Sequence, residues 1–388
     1  MTTEQKANRN IKLVVIIKIF SKRVFLPLSA IYFMQVAGFS FTEIGLLGSL
    51  YFAVNFIFDV PTGIFADRVG KTASLKVGAL LNICSTLLYV LEPTKQGIIT
   101  GTILEALGYA FLIGAGEALV HDSLEVTNRA SSYTKVISRI QSASLVVNAG
   151  LLALIPMTYR IDHRLPFLIG AFAYLTLLIT ASFMHDVAAA SKHKLKHSVM
   201  PILKSPGIPL FALFYGVFGA LYTAPSDQMN LAFKNLGMQP ALLGWIFAAA
   251  SLFGAAVGLY FHKLKRFSIT KFITLDIICV IGSFVSIYMG QLNLLIISTL
   301  FSMAMFRHRR GFYQAKILEY FPGKPKATLI SMMNNFEGIH LIWIPAVLGF
   351  AVAKFGIQGG FGLMAIFTLV VGLGFILAAK RLFSRPIN

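Results

Sequence analysis

The stretch Gly63-Ile-Phe-Ala-Asp67-Arg68-Val-Gly70-Lys71 joins two long apolar segments of the chain. An α-helix needs roughly 20 apolar residues to cross about 30 Å of hydrocarbon, and both flanking segments are long enough. The stretch itself carries charges of both signs and two glycines, which suit a turn in contact with water. It therefore predicts a charged turn between two membrane-spanning helices.

Twelve such apolar segments can be read along the 388 residues. Hydrophobic residues make up 56% of the chain and charged residues 13%, whereas soluble proteins carry about a quarter charged residues. The first segment follows a short polar tail and lacks a small-residue cleavage site, so we expect it to be retained in the membrane. We predict an all-α membrane protein with twelve transmembrane helices, at about 13–37, 44–66, 74–92, 97–121, 136–158, 165–185, 208–232, 241–261, 272–289, 292–318, 328–353 and 358–379.

The connection between the sixth and seventh segments divides the chain into two halves. It is the longest polar connection and contains Lys192, Lys194, Lys196 and Lys204. A second stretch, Gly258-Leu-Tyr-Phe-His-Lys-Leu-Lys-Arg266, follows the eighth segment and keeps the glycine and the basic residues of the first turn. We predict two pseudo-symmetric six-helix halves, at 1–186 and 208–388, joined by a linker at 187–207.

Most of the 34 lysines and arginines fall in the N-terminal tail, the even-to-odd loops, the linker and the C-terminal tail. Positive charge accumulates on the cytoplasmic side of membrane proteins, so these segments and both termini are predicted to be cytoplasmic. This bias and anionic lipid headgroups account for much of the net charge of +19 without a nucleic-acid partner. We expect a multi-pass plasma membrane protein, of a bacterial inner membrane.

The pattern Gly-x-x-x-Asp-Arg-x-Gly-Lys between the second and third segments resembles the signature loop of the major facilitator superfamily of secondary transporters. A narrower resemblance is to its drug/proton-antiporter-like branch. Asp59-Val-Pro-Thr-Gly63 looks like the Glu-x-Pro-Thr-Gly variant of that branch, and Glu117-Ala-Leu-Val-His-Asp122-Ser-Leu is similar to its span-four ending. Two features of that branch are absent here. Its span-four arginine, which would fall near Thr102, is missing, and span five lacks the Gly-Pro-x-x-Gly-Gly element of antiporters.

The resemblance implies the major facilitator fold and a monomeric carrier that works by alternating access, with no enzymatic activity and no cofactor. Substrate would bind in a central cavity lined by spans one, four, seven and ten. The signature loop would serve as a conformational latch formed by Gly63, Asp67, Arg68, Gly70 and Lys71.

Basic residues inside the spans indicate the substrate's charge. Lys18 and Lys22 are four residues apart, while Arg307, Arg310 and Gln314 recur with helical spacing, so each set is predicted to project from one helical face. Guanidinium groups bind carboxylates and phosphates bidentately, which favours a small organic anion such as a carboxylate-type siderophore or an organophosphate. The predicted substrate-binding residues are Lys22, Arg23, Arg139, Tyr215, Tyr222, Arg307, Arg310, Tyr313 and Gln314. Lys18 and Lys316 lie near span ends and have snorkelling as an equal alternative.

Asp59, Glu105, Glu117, Asp227 and Glu337 lie among apolar neighbours within the spans. Apolar surroundings favour the protonated form of a carboxyl group, which makes proton coupling feasible. We predict coupling through Glu117 or Asp227 first, then Glu337, with Asp59 as part of the adjoining loop motif. The alternative is that each carboxylate pairs with an intramembrane lysine or arginine and holds helices together.

Other functions remain open from the residues alone. Within transport, the alternatives to an anion carrier are proton-coupled efflux of drugs or amphiphiles and an anionic lipid flippase. A membrane enzyme would need a polar catalytic cluster at one face, and a channel or receptor would not need two related halves. No metal site or disulfide is predicted from Cys84 and Cys279, and His340 is expected to be an interior histidine.

Overall fold

The computed structural model describes residues 1–187, 207–259, 267–320 and 326–383, and within these ranges the chain forms helices and no strands. The α-helices are α1 (Thr3–Phe20), α2 (Leu26–Ala37), α3 (Phe41–Arg68), α4 (Lys71–Leu91), α5 (Lys95–Leu112), α6 (Ala115–Val126), α7 (Tyr133–Leu154), α8 (Leu165–Ser182), α9 (Ile208–Thr223), α10 (Ser226–Asn235), α11 (Leu243–Leu259), α12 (Ile269–Tyr288), α13 (Leu292–Tyr320) and α14 (Lys326–Phe383). The predicted linker lysines and most of the second loop copy lie outside the described residues.

Nine stretches of the described chain are long and apolar enough to cross a membrane. The last of them, Leu329–Phe383, contains two predicted spans, which meet where Gly356 leaves the helical conformation with φ +72°. The first and tenth predicted spans do not qualify as single apolar helices. The first is broken into two helices, and α13 carries five charged residues between Arg307 and Glu319.

The break in the first predicted span corrects the expectation of one helix over 13–37. α1 ends at Phe20 and α2 begins at Leu26, so Lys22 and Arg23 lie between two helices. Pro27 is in the first turn of α2, where its missing N–H costs nothing and its fixed φ favours a helix start. Lys18 and Lys22 therefore do not share a helical face, and that part of the prediction is wrong.

Two other predicted spans are also divided, each by a residue that interrupts helical hydrogen bonding. The fourth separates into α5 and α6 at Gly114, which has φ +76°. The seventh separates into α9 and α10 next to Pro225, which lacks a backbone N–H donor. These breaks place Arg23, Glu117 and Tyr222 at or beside helix ends, where side chains can reach neighbouring helices.

The helices form two compact units. The described residues of unit 1 come from 1–38, 50–194 and 240–248, and those of unit 2 from 39–49, 195–239 and 249–388. Each unit thus includes a short segment from the opposite half of the sequence. In unit 2 the Thr42 hydroxyl donates to the carbonyl oxygen of Gly349 at 3.0 Å, and the backbone N–H of Ala346 donates to the Ser49 hydroxyl at 3.1 Å. In unit 1 a buried apolar cluster joins α1, α4, α6, α7 and α8.

Candidate substrate and coupling sites

Arg23 lies in the break between α1 and α2, and its guanidinium reaches α5 of the same unit. Arg23 Nη1 is 3.3 Å from Glu105 Oε1, and Glu105 Oε2 accepts a hydrogen bond from the Tyr89 hydroxyl at 2.8 Å. The guanidinium carbon also lies 4.5 Å from the ring centre of Tyr51 and 5.6 Å from that of Tyr109. A planar guanidinium can stack on rings while it bonds a carboxylate. Arg23 is therefore largely satisfied within unit 1.

A second pair in unit 1 joins α1 to α6. Lys18 Nζ lies 2.7 Å from Glu117 Oε1, and the two side chains are 29% and 38% exposed. Glu117 is in the first turn of α6, just after the break at Gly114, where the partial positive charge of a helix start favours a carboxylate. This pair is accessible to a ligand or to solvent.

Unit 2 contains a fully buried pair on α12 and α13. Arg309 Nε is 3.3 Å from Asp276 Oδ2, with the side chains 1% and 0% exposed. Asp276 also accepts hydrogen bonds from the hydroxyls of Tyr222 at 2.6 Å and Tyr313 at 2.8 Å. The Arg309 guanidinium lies 5.1 Å from the ring centre of Tyr215. Asp276 thus accepts hydrogen bonds from three donors, and the Tyr222 and Tyr313 hydroxyls both donate to it.

The neighbouring arginine, Arg310, forms an asymmetric pair with Glu337 of α14. Arg310 Nη2 lies 3.3 Å from Glu337 Oε2, and the arginine side chain is 56% exposed while the carboxylate is 5% exposed. The Glu337 carboxyl group packs against Gly219 of α9, where a side chain would collide with it. The guanidinium is therefore far more accessible than the carboxylate.

The other predicted substrate-binding residues are distributed more widely. Lys22, Arg139 and Arg307 are exposed, and no ion pair of theirs is found among the described residues. Gln314 is half-buried on α13. Lys316 pairs with Glu319 of the same helix at 2.9 Å. Five of the basic residues in or near the spans therefore have an acidic partner: Lys18, Arg23, Arg309, Arg310 and Lys316.

The signature loop uses only part of its charge within unit 1. Lys71 forms an ion pair with Asp122 of α6, and the backbone N–H groups of Lys71 and Thr72 donate to Asp186 Oδ1 at 2.8 and 3.1 Å. Gly70 has φ +133°, a backbone conformation that residues with a side chain rarely adopt. Asp67 and Arg68 are exposed at the end of α3. The loop thus ties α4 to α6 and to the segment after α8, and presents two charges outward.

Other predicted polar residues have simple surroundings. Asp59 is exposed on α3, and Asp227 lies half-buried in the first turn of α10. His340 Nδ1 accepts a hydrogen bond from Trp343 Nε1 at 2.9 Å. His121, Asp122 and Glu125 bring their donor atoms within 4.8 Å of one another on α6, but Asp122 is engaged by Lys71. Cys84 and Cys279 are both free.

Comparison with known proteins identifies the family. Residues 13–339 match the sequence model of the Major Facilitator Superfamily. The chain belongs to this superfamily. It is 23% identical over 364 residues to an uncharacterized MFS-type transporter, YxaM, of Bacillus subtilis, covering 89% of this chain and 90% of the relative. It is also 23% identical to Multidrug resistance protein 2 of Bacillus subtilis, covering 90% and 89% of the two chains.

Solved structures show the same fold. The nucleoside transporter NupG superposes with a TM-score of 0.80 at 14% identity and covers 98% of this chain and 100% of its own. A bacterial homolog of the human lysosomal transporter Spinster superposes with a TM-score of 0.72 at 12% identity. The match covers 99% of this chain and 98% of the homolog. This superfamily member is therefore a multi-pass membrane transporter and not an enzyme, which confirms the predicted fold class and family.

Several residues of the transporter's polar clusters were missed by the sequence prediction. Asp276 lies inside a predicted span but was not counted among the intramembrane acids, although its charge alone was a sufficient signal. Tyr51, Tyr89 and Tyr109 carry no such signal, because their role depends on contacts with Arg23 and Glu105 from distant parts of the chain.

Proposed function

We propose that this transporter carries a small organic anion together with a proton, and that Arg310 and Glu337 form the centre of its site. The observation that supports this is the asymmetry of their ion pair. Arg310 is 56% exposed and Glu337 only 5% exposed, so the pair offers a cation to an incoming ligand. An exposed guanidinium binds a carboxylate or phosphate through two parallel hydrogen bonds.

The same pair provides a physical basis for coupling. Ionised Glu337 and the substrate anion compete for Arg310, because both bond to its guanidinium group. A proton on Glu337 neutralises the competitor and leaves Arg310 free for substrate. Substrate and proton then favour each other's binding, and this linkage is reciprocal. A polycarboxylate, including a carboxylate-type siderophore, or an organophosphate fits this chemistry.

The substrate part is tested by binding measurements with citrate and glycerol 3-phosphate as probes. Arg310→Ala should weaken binding by about 1.5–3 kcal/mol, the value of hydrogen bonds to charged groups. Arg310→Lys should restore only part of the affinity, since lysine lacks the planar fork. Lys316→Ala is the matched control, because Lys316 lies on the same helix and pairs with Glu319. Equal affinity of Arg310→Ala and the wild type for both probes would exclude the proposed role of Arg310.

The coupling part is tested in sealed vesicles with an imposed pH gradient. Glu337→Gln keeps a hydrogen-bonding oxygen for Arg310 but cannot be ionised, so uptake of the probe should no longer follow the gradient while counterflow exchange continues. Glu117→Gln is the comparison in unit 1, since its partner Lys18 is 29% exposed against 56% for Arg310. Gradient-driven uptake by Glu337→Gln but not by Glu117→Gln would move the coupling site to unit 1. Asp227 and Asp59 are the next candidates.

Drug efflux is the second candidate, because the relationship to Multidrug resistance protein 2 extends over 90% of this chain. Five cations of the spans already have acidic partners, which leaves less free positive charge than the sequence indicates. Vesicles loaded with ethidium distinguish the two functions. Ethidium export driven by a pH gradient, without binding of either anionic probe, would favour efflux.

We also propose that the signature loop stabilises one access state and that both termini are cytoplasmic, in a bacterial inner membrane. Asp67 and Arg68 are exposed at the end of α3, so they are available for contacts outside unit 1. Asp67→Ala should slow transport without lowering probe affinity. A cysteine placed at Lys95 should be labelled from outside intact cells. A cysteine placed at Lys194 should be labelled only from the cytoplasmic side. Labelling of both from outside would contradict the proposed topology.

A further inference from the structure

Glu337 lies beside two arginines of α13, although it bonds to only one of them. Its Oε2 atom pairs with Arg310. Gly219 of α9 shows how close the second arginine is. A methyl group added there would lie 2.5 Å from Arg309 Nη1 and 2.9 Å from the Glu337 carboxyl carbon. The Arg309 guanidinium and the Glu337 carboxyl group therefore meet at the same point on α9, with no side chain of Gly219 between them.

The Arg309 guanidinium also contains a nitrogen, Nη2, without a partner in the described part of the chain, bonded to the same carbon as the Nη1 atom that lies next to Gly219. Its Nε atom bonds to Asp276, but its Nη2 atom is buried and has no hydrogen-bond partner among the described residues. A buried donor without a partner costs about 1–3 kcal/mol, more when it is charged, so such an atom requires an explanation. Asp276 cannot supply the missing acceptor by moving, because the hydroxyls of Tyr222 and Tyr313 also hold it.

We propose that Glu337 is shared between the two arginines and transfers from Arg310 to Arg309 when an anion occupies Arg310. The inference rests on the proposed function in assigning the substrate to Arg310. Arg309 is then a positioning residue that does not touch the substrate. It receives the displaced carboxyl group, which would otherwise remain buried without a partner.

The charges around Glu337 support such an exchange. Arg310 and Glu337 balance each other, as do Arg309 and Asp276, and Tyr215 of α9 adds a ring face to Arg309. A substrate anion on Arg310 displaces one negative group from a balanced set. Transfer to Arg309 keeps that group hydrogen-bonded, and this holds for a protonated Glu337 too, because its carbonyl oxygen still accepts. The cost of displacing Glu337 falls accordingly, and anion binding becomes stronger.

A double-mutant cycle tests the transfer without any substrate. Arg310→Ala imitates the state in which Arg310 is occupied, and Arg309→Lys keeps the charge next to Asp276 but removes the Nη donors. Thermal unfolding is measured for the wild type, both single variants and the double variant in detergent. We expect Arg310→Ala alone to be tolerated and the double variant to lose more thermal stability than the sum of the two single losses. Additive losses would overturn the proposal.

A third substitution removes the ambiguity of a double variant that fails to fold. Glu337→Gln replaces the charge that the double variant leaves unpaired with a neutral amide, which costs less to bury without a partner, so it should restore folding and reduce the non-additivity. If Arg309 were needed only for packing, Glu337→Gln would rescue nothing, and that result would also overturn the proposal. Because the cycle uses no ligand, it can succeed even if citrate and glycerol 3-phosphate do not bind.

The substrate arm uses citrate in the same variants. Arg309→Lys should weaken citrate binding roughly tenfold, about 1.4 kcal/mol. The reason is that the displaced Glu337 carboxyl group then lacks the guanidinium as a hydrogen-bond partner. In a Glu337→Ala background, which has no side-chain oxygen to transfer, the same Arg309→Lys change should leave citrate affinity unaltered. A tenfold loss in both backgrounds would mean that Arg309 acts on the site independently of Glu337, which contradicts the transfer.

Discussion

The two compact units each hold an arginine against a carboxylate and several tyrosine rings, but they build the cluster from different helices. In unit 1 the arginine is Arg23, from the break before α2, and its carboxylate is Glu105 of α5. In unit 2 the arginine is Arg309 of α13 and the carboxylate is Asp276 of α12. The likeness is therefore one of chemistry, and the two arginines do not occupy corresponding spans.

The clusters differ most in their access from outside. Arg309 and Asp276 are buried completely, whereas Arg23 keeps 20% of its side chain exposed. Unit 2 also contains a second arginine, Arg310, which follows Arg309 directly, is exposed and forms an ion pair with Glu337. A buried ion pair is costly to break, while an exposed one can exchange partners with a ligand. Burial thus separates a pair that positions helices from a pair suited to binding.

The largest effect is expected when the buried pair of unit 2 is broken. Asp276→Ala leaves the Arg309 charge buried without its carboxylate, which typically costs about 3–5 kcal/mol. We expect a large fall in the thermal unfolding temperature of the purified protein and a reduced yield of folded transporter.

Asp276→Asn is the control for this change, because the amide fills the same space and keeps one oxygen for the tyrosine hydroxyls. It should be less damaging than alanine. An Asp276→Ala protein as stable as the wild type would mean that Arg309 finds another partner, and the distinction between the two clusters would be lost.

An intermediate effect is expected from the matching change in unit 1. Glu105→Ala also removes the carboxylate partner of an arginine, but Arg23 is partly exposed and stacks on two tyrosine rings. We expect a loss of about 1–3 kcal/mol, measured by the same unfolding assay. A loss as large as that of Asp276→Ala would show that exposure does not decide the strength of these pairs.

Sequence patterns predicted the fold well because its determinants are local. Length, hydropathy and the residues of the signature loop are sufficient for a helical carrier of this superfamily. The breaks at 21–25 and near Pro225 were within reach too, since the first contains Lys22 and Arg23 and precedes Pro27, and the second contains a proline. They were overlooked because hydropathy averages over such short interruptions.

The candidate sites could be predicted only in part, because charge pairing is a long-range property. Arg23 and Glu105 are 82 residues apart, and Lys18 and Glu117 are 99 apart. The sequence therefore shows which spans carry charge but not which charges neutralise each other. It counts Arg23 and Arg310 as equal candidates, whereas the structure exposes the second far more than the first.

The smallest effect is expected from removing single tyrosine hydroxyls, and it separates the clusters most finely. The Tyr313 hydroxyl donates to Asp276 at 2.8 Å, and the Tyr89 hydroxyl donates to Glu105 at the same distance. Tyr313→Phe leaves Asp276 with Arg309 and Tyr222, while Tyr89→Phe leaves Glu105 with Arg23 alone among these donors. One hydrogen bond to a charged group is worth about 1.5–3 kcal/mol, and the remaining donors compensate for part of it. We therefore expect Tyr313→Phe to cost less stability than Tyr89→Phe, although its cluster is the more deeply buried one. The reverse order in thermal unfolding would show that burial outweighs the number of donors, and Asp276 would then depend on every one of its three bonds.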